Sequence, residues 1–429
     1  MQQHIVIIGN GISGITCARN IRKLSDHRIT VISAETKHFF SRTALMYVYM
    51  GHMRFEDIKP YEDGFWEKNR IELMHQHVIG VDPIAKTVLL ANSSRLTFDK
   101  LVIASGSVSA RFDWPGQNLK GVQSLYSFQD LELMNENTKD IKQAVIVGGG
   151  LIGIEMAEML HSRQIGVTML VREKKFWDTV LPTQEASMIG DHIREYKIDL
   201  RQEEELLEIN GDENGKVKSV TTKNGEEIAC QFVGLTVGVK PNIAFLRESG
   251  IETDKGVLVN EFLQTNVQDV FAIGDCAQFK TLLKGRKAIE QVWYTGRMQA
   301  ETLANTLCKQ PVTYNPGNWF NSAKFFDIEY QTYGIVLNKA LENEEVFYWK
   351  HNSNKRSLRI VFMNDTKVVT GFNVFGMRLR HEICDKWLNE KSTVDQVIAN
   401  LQEAVFDPEF YKSYYKEIAH AYHSKLITT

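Results

Sequence analysis

Hydrophobic and polar positions alternate between two rhythms at the start of the chain. His4-Ile5-Val6-Ile7-Ile8 is a short apolar run rich in β-branched residues, the pattern of a strand buried on both faces. Gly9-Asn10-Gly11-Ile12-Ser13-Gly14 interrupts it, and from Ile15 to Leu24 apolar residues recur at helical spacing. A second apolar run, Ile29-Thr30-Val31-Ile32, follows, with an acid at Glu35. The pattern predicts strand, turn, helix and strand in a parallel βαβ unit. It recurs at Ala144-Val145-Ile146-Val147, with a turn from Gly148 to Gly153, a helix from Ile154 to Gln164 and a strand from Val167 to Val171. The expected class is therefore α/β with two such units.

Between and after these units the pattern predicts shorter elements. Phe65 to Leu73 reads as a short helix and a strand, and Lys86–Leu90 with Leu96–Phe98 as a hairpin around Asn92-Ser93-Ser94. Leu101 to Ile103 is a buried-type strand ending in Ala104-Ser105-Gly106, and Trp114-Pro115-Gly116 marks a domain crossover. Ala186 to Tyr196 reads as a surface helix, Val217–Thr221 and Glu227–Ala229 as a hairpin through Asn224-Gly225, and Leu235–Val237 as a strand before Gly238 to Pro241. Val270 to Ile273 is a last buried strand, followed by Gly274-Asp275, and Glu290 to Asn305 reads as a helix. From about Pro311 aromatic-rich strands predict an α+β domain. Its tail carries Tyr411, Tyr414, Tyr415, Ile418 and Tyr422 at helical spacing, a stripe that suits a docked helix better than a membrane anchor.

Composition narrows the class. An apolar fraction of 43% and a charged fraction of 24% over 429 residues are those of a globular protein of two or three domains. A net charge of -3, from 50 basic and 53 acidic residues, argues against non-specific nucleic-acid binding. With no secretory signal before the first strand and no run of membrane-span length, a cytoplasmic location is expected. Cys17, Cys230, Cys276, Cys308 and Cys384 form no C-x-x-C pair, so neither a dithiol relay nor a zinc ribbon is expected, and no metal.

The glycine turns carry the chemistry. Gly9 permits a tight turn, Gly11 lets backbone approach a pyrophosphate, and Gly14 lets helix and strand pack closely. The helix start then aims free N–H groups and a positive dipole end at that pyrophosphate. Glu35 is placed to accept ribose hydroxyls, and Gly148, Gly150 and Gly153 repeat the spacing, so two dinucleotide sites are expected. Arg42 could lie over an adenine, pair with a phosphate or be a solvated loop charge. The second unit's strand ends in Arg172-Glu173-Lys174-Lys175; cations without an acid suit the 2′-phosphate of NADPH, whereas Glu173 would serve NADH. Asp275 sits at a strand's carboxyl end, where α/β sheets bind ligands, a place equally suited to a helix N-cap. Lys280, Lys284, Arg286 and Lys287 form a basic run, read as a solvated loop or as a dock for an acidic electron carrier.

With these motifs in this order, residues 4–308 resemble the FAD-dependent pyridine nucleotide-disulfide oxidoreductase superfamily. The resemblance is strongest to its branch without redox cysteines: ferredoxin and rubredoxin reductases, apoptosis-inducing factor and the FAD/NAD portion of nitrite reductase. Trp319-Phe320-Asn321-Ser322 to Gln331-Thr332-Tyr333-Gly334 resembles the start of that branch's C-terminal domain. The resemblance implies two Rossmann-like domains, an FAD-binding one in two parts (1–113 and 242–310) and an inserted NAD(P)H-binding one (114–241), with an α+β interface domain at 311–429. It implies FAD contacts at Gly9, Gly11, Gly14, Glu35, Arg42 and Asp275, and a wider FAD-side set of Ser13, Ala104, Ser105, Gly106, Gly238, Gly274, Glu290 and Gln291. For NAD(P)H it implies Gly148, Gly150, Leu151, Ile152, Gly153, Glu155 and Arg172. Glu155 matches a carboxylate found near flavin and nicotinamide in that branch. Its usual lysine partner, in Arg-Pro-Pro-Leu-Ser-Lys, falls on Tyr47, and Arg42-Thr43-Ala44-Leu45-Met46-Tyr47 keeps only the arginine and leucine. Glu155 and Tyr47 are thus the candidate catalytic residues, and the departure alters the tuning of the flavin.

The expected activity is that of an FAD-dependent NAD(P)H oxidoreductase passing hydride from NAD(P)H to flavin N5 and electrons on to a separate acceptor. A small iron-sulfur carrier of ferredoxin or rubredoxin type is the expected sink, and a homodimer a possible assembly. Two alternatives stand beside it. One is an NAD(P)H:quinone reductase, which would need the tail to touch a membrane; the other is a redox-sensing FAD–NAD(H) binding protein with slow turnover, which Tyr47 favours.

Overall fold

The computed structural model describes residues 2–282, 285–407, 409–410 and 412–428; Lys284 of the basic run and Tyr411 of the tail stripe lie outside the described residues. The chain divides into two compact units, one of Met1–Asp113, Gln123–Asp140 and Val237–Pro316, the other of Trp114–Val122, Ile141–Thr236 and Gly317–Thr429.

In the first unit the apolar run His4–Ile8 lies between Arg28–Ser33 and Lys100–Ile103, with Val6 opposite both Thr30 and Leu101. Ile71–His75 and Val270–Ala272 complete a parallel sheet in the order Val270–Ala272, Lys100–Ile103, His4–Ile8, Arg28–Ser33, Ile71–His75. Such strands bury both faces, so they read as continuous apolar runs rather than alternations. The helix Ile12–Leu24 packs on this sheet and against a second helix, Trp293–Cys308. The second of these starts three residues later than the apolar spacing suggested, since Val292 before it is extended. The expected hairpin is present as Thr87–Leu90 and Arg95–Thr97, joined by Val78–Asp82.

In the second unit Asp199–Gln202, Gly166–Val171, Gln143–Val147 and Phe232–Leu235 lie side by side in that order, all parallel. The fourth strand precedes the expected Leu235–Val237, since Phe232, Val233 and Leu235 are the residues the helix Leu151–Ser162 covers. Five antiparallel strands follow toward the chain's end, ordered Phe320–Phe325, Ile328–Gly334, Val369–Phe375, Ser357–Met363, Glu344–Lys350. The helices His381–Asn389, Val394–Ala399 and Tyr415–Thr428 pack against this sheet, and Tyr414, Ile418 and Tyr422 are buried in the core it shares with Phe347 and Trp349. Three of the five stripe residues are therefore consumed internally, as a docked helix requires. Among the described residues no helix is long and apolar enough to cross a membrane. The helix Thr183–Glu195 is more than a surface element: Glu185 is fully buried and takes Arg359 of the C-terminal sheet in a bidentate pair, with one bond of 2.7 Å.

Candidate functional site

Each glycine turn is closed by its outer glycines and left open by its middle one. At Gly9, where φ is +111°, a Cβ would stand 2.0 Å from the carbonyl oxygen of Ala104; at Gly14 it would stand 1.9 Å from the oxygen of Gly9. Only hydrogen fits at either position. Gly11, the residue before the helix Ile12–Leu24, has nothing within 4 Å of such an atom, and no side chain caps the helix it opens. The second turn repeats the plan. Gly148, with φ +121°, would meet the oxygen of Thr236 at 2.5 Å and Gly153 the oxygen of Gly148 at 2.5 Å, while Gly150 is open and the helix Leu151–Ser162 likewise lacks a side-chain cap. Leu151 and Ile152 form its half-buried first turn. Two helix starts with free N–H groups and open space beside them fit a pyrophosphate each.

The residue that closes each turn comes from a third strand. Ala104 donates its N–H to Ile8 at 2.8 Å, and Thr236 donates to Val147 at 2.9 Å. Thr236 was not singled out in the sequence; the internal repeat, which sets it where Ala104 stands, was the signal that could have found it.

In the first unit the strand-end acid is held from two sides. Glu35 accepts both Arg42 Nη1 at 2.8 Å and Nη2 at 2.6 Å, and its Oε1 also accepts the N–H of Phe128 at 2.8 Å. Arg42 lies 4.4 Å over the ring of Tyr126 and donates to that residue's carbonyl at 2.6 Å, so it is not a solvated loop charge. The segment Gln123–Asp140, which supplies Tyr126 and Phe128, drew no functional reading from sequence, because its contacts with Glu35 span about ninety positions of chain.

Asp275 is not a helix N-cap: it lies inside a short 3-10 turn, Gly274–Cys276, whose cap position is Ile273. Its carboxylate accepts Ser107 Oγ at 3.0 Å, and Ser107 Oγ in turn accepts Gln291 Nε2 at 2.8 Å. Burial raises the carboxyl pKa above the usual range. A Cβ on Gly274 or on Gly296 would each meet Ser13 Oγ at 2.4 Å, which clamps Ser13 between them; Gly296 is a further residue that sequence reading missed. Gly106, with φ +68°, leaves room for the Tyr126 hydroxyl, Ser105 Oγ donates to Asn242, and Gly238, with φ +101°, turns in open space.

In the basic run Gln278 to Lys287 the arginine is neutralised by a buried partner, while Lys280 and Lys287 stay at the surface. Arg286 and Glu290 form a buried bidentate pair with both bonds at 2.6 Å; Lys280, which pairs with Glu252 at 2.6 Å, and Lys287 are both exposed. Glu290 is thereby a structural partner here, further fixed by Thr295. Tyr47 lies on the helix Leu45–Tyr49 with its ring stacked on His52.

In the second unit Glu155 follows the glycine turn by one helical turn and is half-buried; desolvation, with Glu158 beside it, pushes its carboxyl up to about 7. Arg172 is 73% exposed and donates to Glu173 at 2.7 Å, so the acid at this strand end is present two places late and paired with the cation beside it. Four of the five thiols are buried, and burial raises the pKa of Cys17, Cys276 and Cys384 and takes Cys230 up to about 12.

A family model described as pyridine nucleotide-disulphide oxidoreductase matches residues 3–300. The NAD(P)H nitrite reductase of Bacillus subtilis (strain 168) is 28% identical over 310 residues, and the chain spans 72% of its own length but only 38% of that protein's. The rubredoxin-NAD(+) reductase of Acinetobacter baylyi is 29% identical over 313 residues, 71% of this chain and 78% of that protein. Among solved structures, an NAD-dependent persulfide reductase from A. fulgidus superposes with a TM-score of 0.86 at 23% identity, covering 99% of this chain and 84% of that one, a likeness of fold.

Proposed function

The chain belongs to the pyridine nucleotide-disulphide oxidoreductase family, and from that premise we propose that it is an FAD-dependent NAD(P)H oxidoreductase that hands electrons to a separate carrier. The observation that carries this reading is the pair of uncapped helix starts, each with an open middle glycine between two that admit only hydrogen. Bound flavin would supply hydride acceptance and single-electron release.

The chain's own residues bind, orient and exclude. Gly11 and Gly150 give backbone N–H groups access to the two pyrophosphates. Glu35, steadied by Arg42 and the N–H of Phe128, is a rigid acceptor for ribose hydroxyls on the flavin side. Asp275, oriented through Ser107 and Gln291, holds a fixed carboxyl at the strand end where such sheets bind ligands. Tyr47 serves the flavin side and Glu155 the nicotinamide side. The buried, protonated thiols offer no nucleophile, which favours a carrier protein over a disulfide as acceptor. In this reading residues 1–113 and 242–310, joined by the segment Gln123–Asp140 that steadies Glu35, hold FAD, the rest of 114–241 holds NAD(P)H, and 311–429 form an interface domain, in a cytoplasmic enzyme whose sink is an iron-sulfur protein of rubredoxin or ferredoxin type. The name of the Acinetobacter relative supports that sink, and a homodimer is the assembly we favour.

Stopped-flow mixing of the yellow holoprotein with NADH or NADPH should bleach the flavin band, and rubredoxin or ferricyanide should restore it. Protein that is colourless and takes up no flavin on reconstitution overturns the reading.

A further inference from the structure

Glu155 has an electrostatic setting unlike that of any other carboxyl group near the two turns. It lies about 7 Å along the helix axis from Gly150, and among the described residues it has no hydrogen-bond or ion-pair partner. Its own helix adds Glu158, which raises the cost of a second negative charge. The one cation on a packed strand, Lys324 of Phe320–Phe325, is spent on Glu158 at 3.0 Å. The other strands against this helix, Gln143–Val147, Gly166–Val171 and Phe232–Leu235, carry no charged residue. His161, further along the helix, faces the rings of Tyr196 and Phe326. By contrast Glu35 and Asp275 each have partners that hold them.

We propose that Glu155 makes binding of the pyridine dinucleotide proton-linked: the neutral acid admits the doubly charged pyrophosphate at the adjacent turn, and the carboxylate opposes it. This rests on reading the second turn as the pyridine-dinucleotide site. Binding then draws the Glu155 equilibrium toward the protonated form, so a proton is taken up with the ligand wherever the free protein has lost it. Since desolvation and Glu158 bring that loss to about pH 7, the linkage falls within the range where the folded protein can be titrated.

The test is ADP-ribose binding to the oxidised holoprotein, with NAD+ as the check that the site is competent: ADP-ribose carries the pyrophosphate without the cationic nicotinamide ring, causes no turnover and has no group that titrates near neutrality. Calorimetry in two buffers of different ionisation enthalpy reads both Kd and proton uptake. Between about pH 6 and about pH 8 the wild-type Kd should weaken about fivefold to tenfold, with up to one proton taken up at the upper end. Glu155→Gln should keep the tight value throughout and take up no proton. Thermal unfolding of the free holoprotein provides a second readout: a carboxyl whose folded pKa is raised loses stability as pH rises through about 7, and Glu155→Gln should flatten that fall. A wild-type Kd independent of pH overturns the proposal alone, as does a Glu155→Gln variant that binds more weakly at every pH with the slope retained. Failure to bind NAD+ at all, with no reduction by NADH or NADPH, overturns the functional reading as well.

Discussion

The two glycine turns share a sequence pattern and differ in how firmly the surrounding chain grips them. In the first unit a Cβ at either outer glycine would come within 2.0 Å of backbone oxygen, the strand-end acid is held by three hydrogen bonds, and Ser13 is clamped between two further glycines. In the second the corresponding approaches are 2.5 Å, the strand-end acid Glu173 has the exposed Arg172 as its side-chain partner, and among the described residues Glu155 has no hydrogen-bond or ion-pair partner. A cradle whose polar groups are already fixed costs little ordering when it holds a ligand. One with an unpaired, proton-sensitive carboxyl has an affinity that conditions can alter. The contrast suits a resident prosthetic group on one side and an exchanging reductant on the other.

Substitutions at the glycines should separate the two turns most strongly. Gly9→Ala forces a Cβ into the Ala104 carbonyl at a left-handed φ, and a loss of about 3 to 4 kcal/mol or outright failure to fold is expected. Gly148→Ala, where the approach is looser, should cost about 2 to 3 kcal/mol. Gly11→Ala and Gly150→Ala meet no atom, so urea unfolding should move by less than about 1 kcal/mol while flavin content falls for the first and NAD(P)H affinity for the second. Equal destabilisation at open and closed positions would dissolve the distinction.

The strand-end acids give a smaller contrast. Glu35→Ala leaves Arg42 without its carboxylate and the Phe128 N–H without an acceptor, so about 2 kcal/mol of stability should go, together with much of the bound flavin, read from the ratio of flavin to protein absorbance. Glu173→Ala deprives only the exposed Arg172 of its partner and should leave stability within about 0.5 kcal/mol. Its effect should appear instead as about a tenfold shift of kcat/KM toward NADPH, with Arg172→Ala shifting it toward NADH. If neither variant changes that ratio, the Arg172–Glu173 pair does not select the nucleotide.

Much of the site could be read locally. The apolar runs predicted the parallel strands because a strand covered on both faces leaves no polar alternation, and the glycine spacings predicted both turns because only glycine tolerates their φ and their approach distances. The scattered cysteines read as ordinary thiols, and four of them lie in the interior. Readings based on local charge fared worse. Arg286 looks like one more surface cation of its run until Glu290 buries it, and Asp275 looks like a helix cap until Ser107 reaches it from another strand. Glu185 sits on what reads as a surface helix, yet Arg359 arrives from far along the chain to bury it.

From the order of residues alone came the paired βαβ units and the position of each turn, because those depend on backbone sterics and short-range periodicity. Folding in three dimensions decided which charges are neutralised and which are left alone. Electrostatic partnership depends on distance through space, and neither Glu35 with its partners nor Glu155 without any can be told apart until the remote strands and loops have come together.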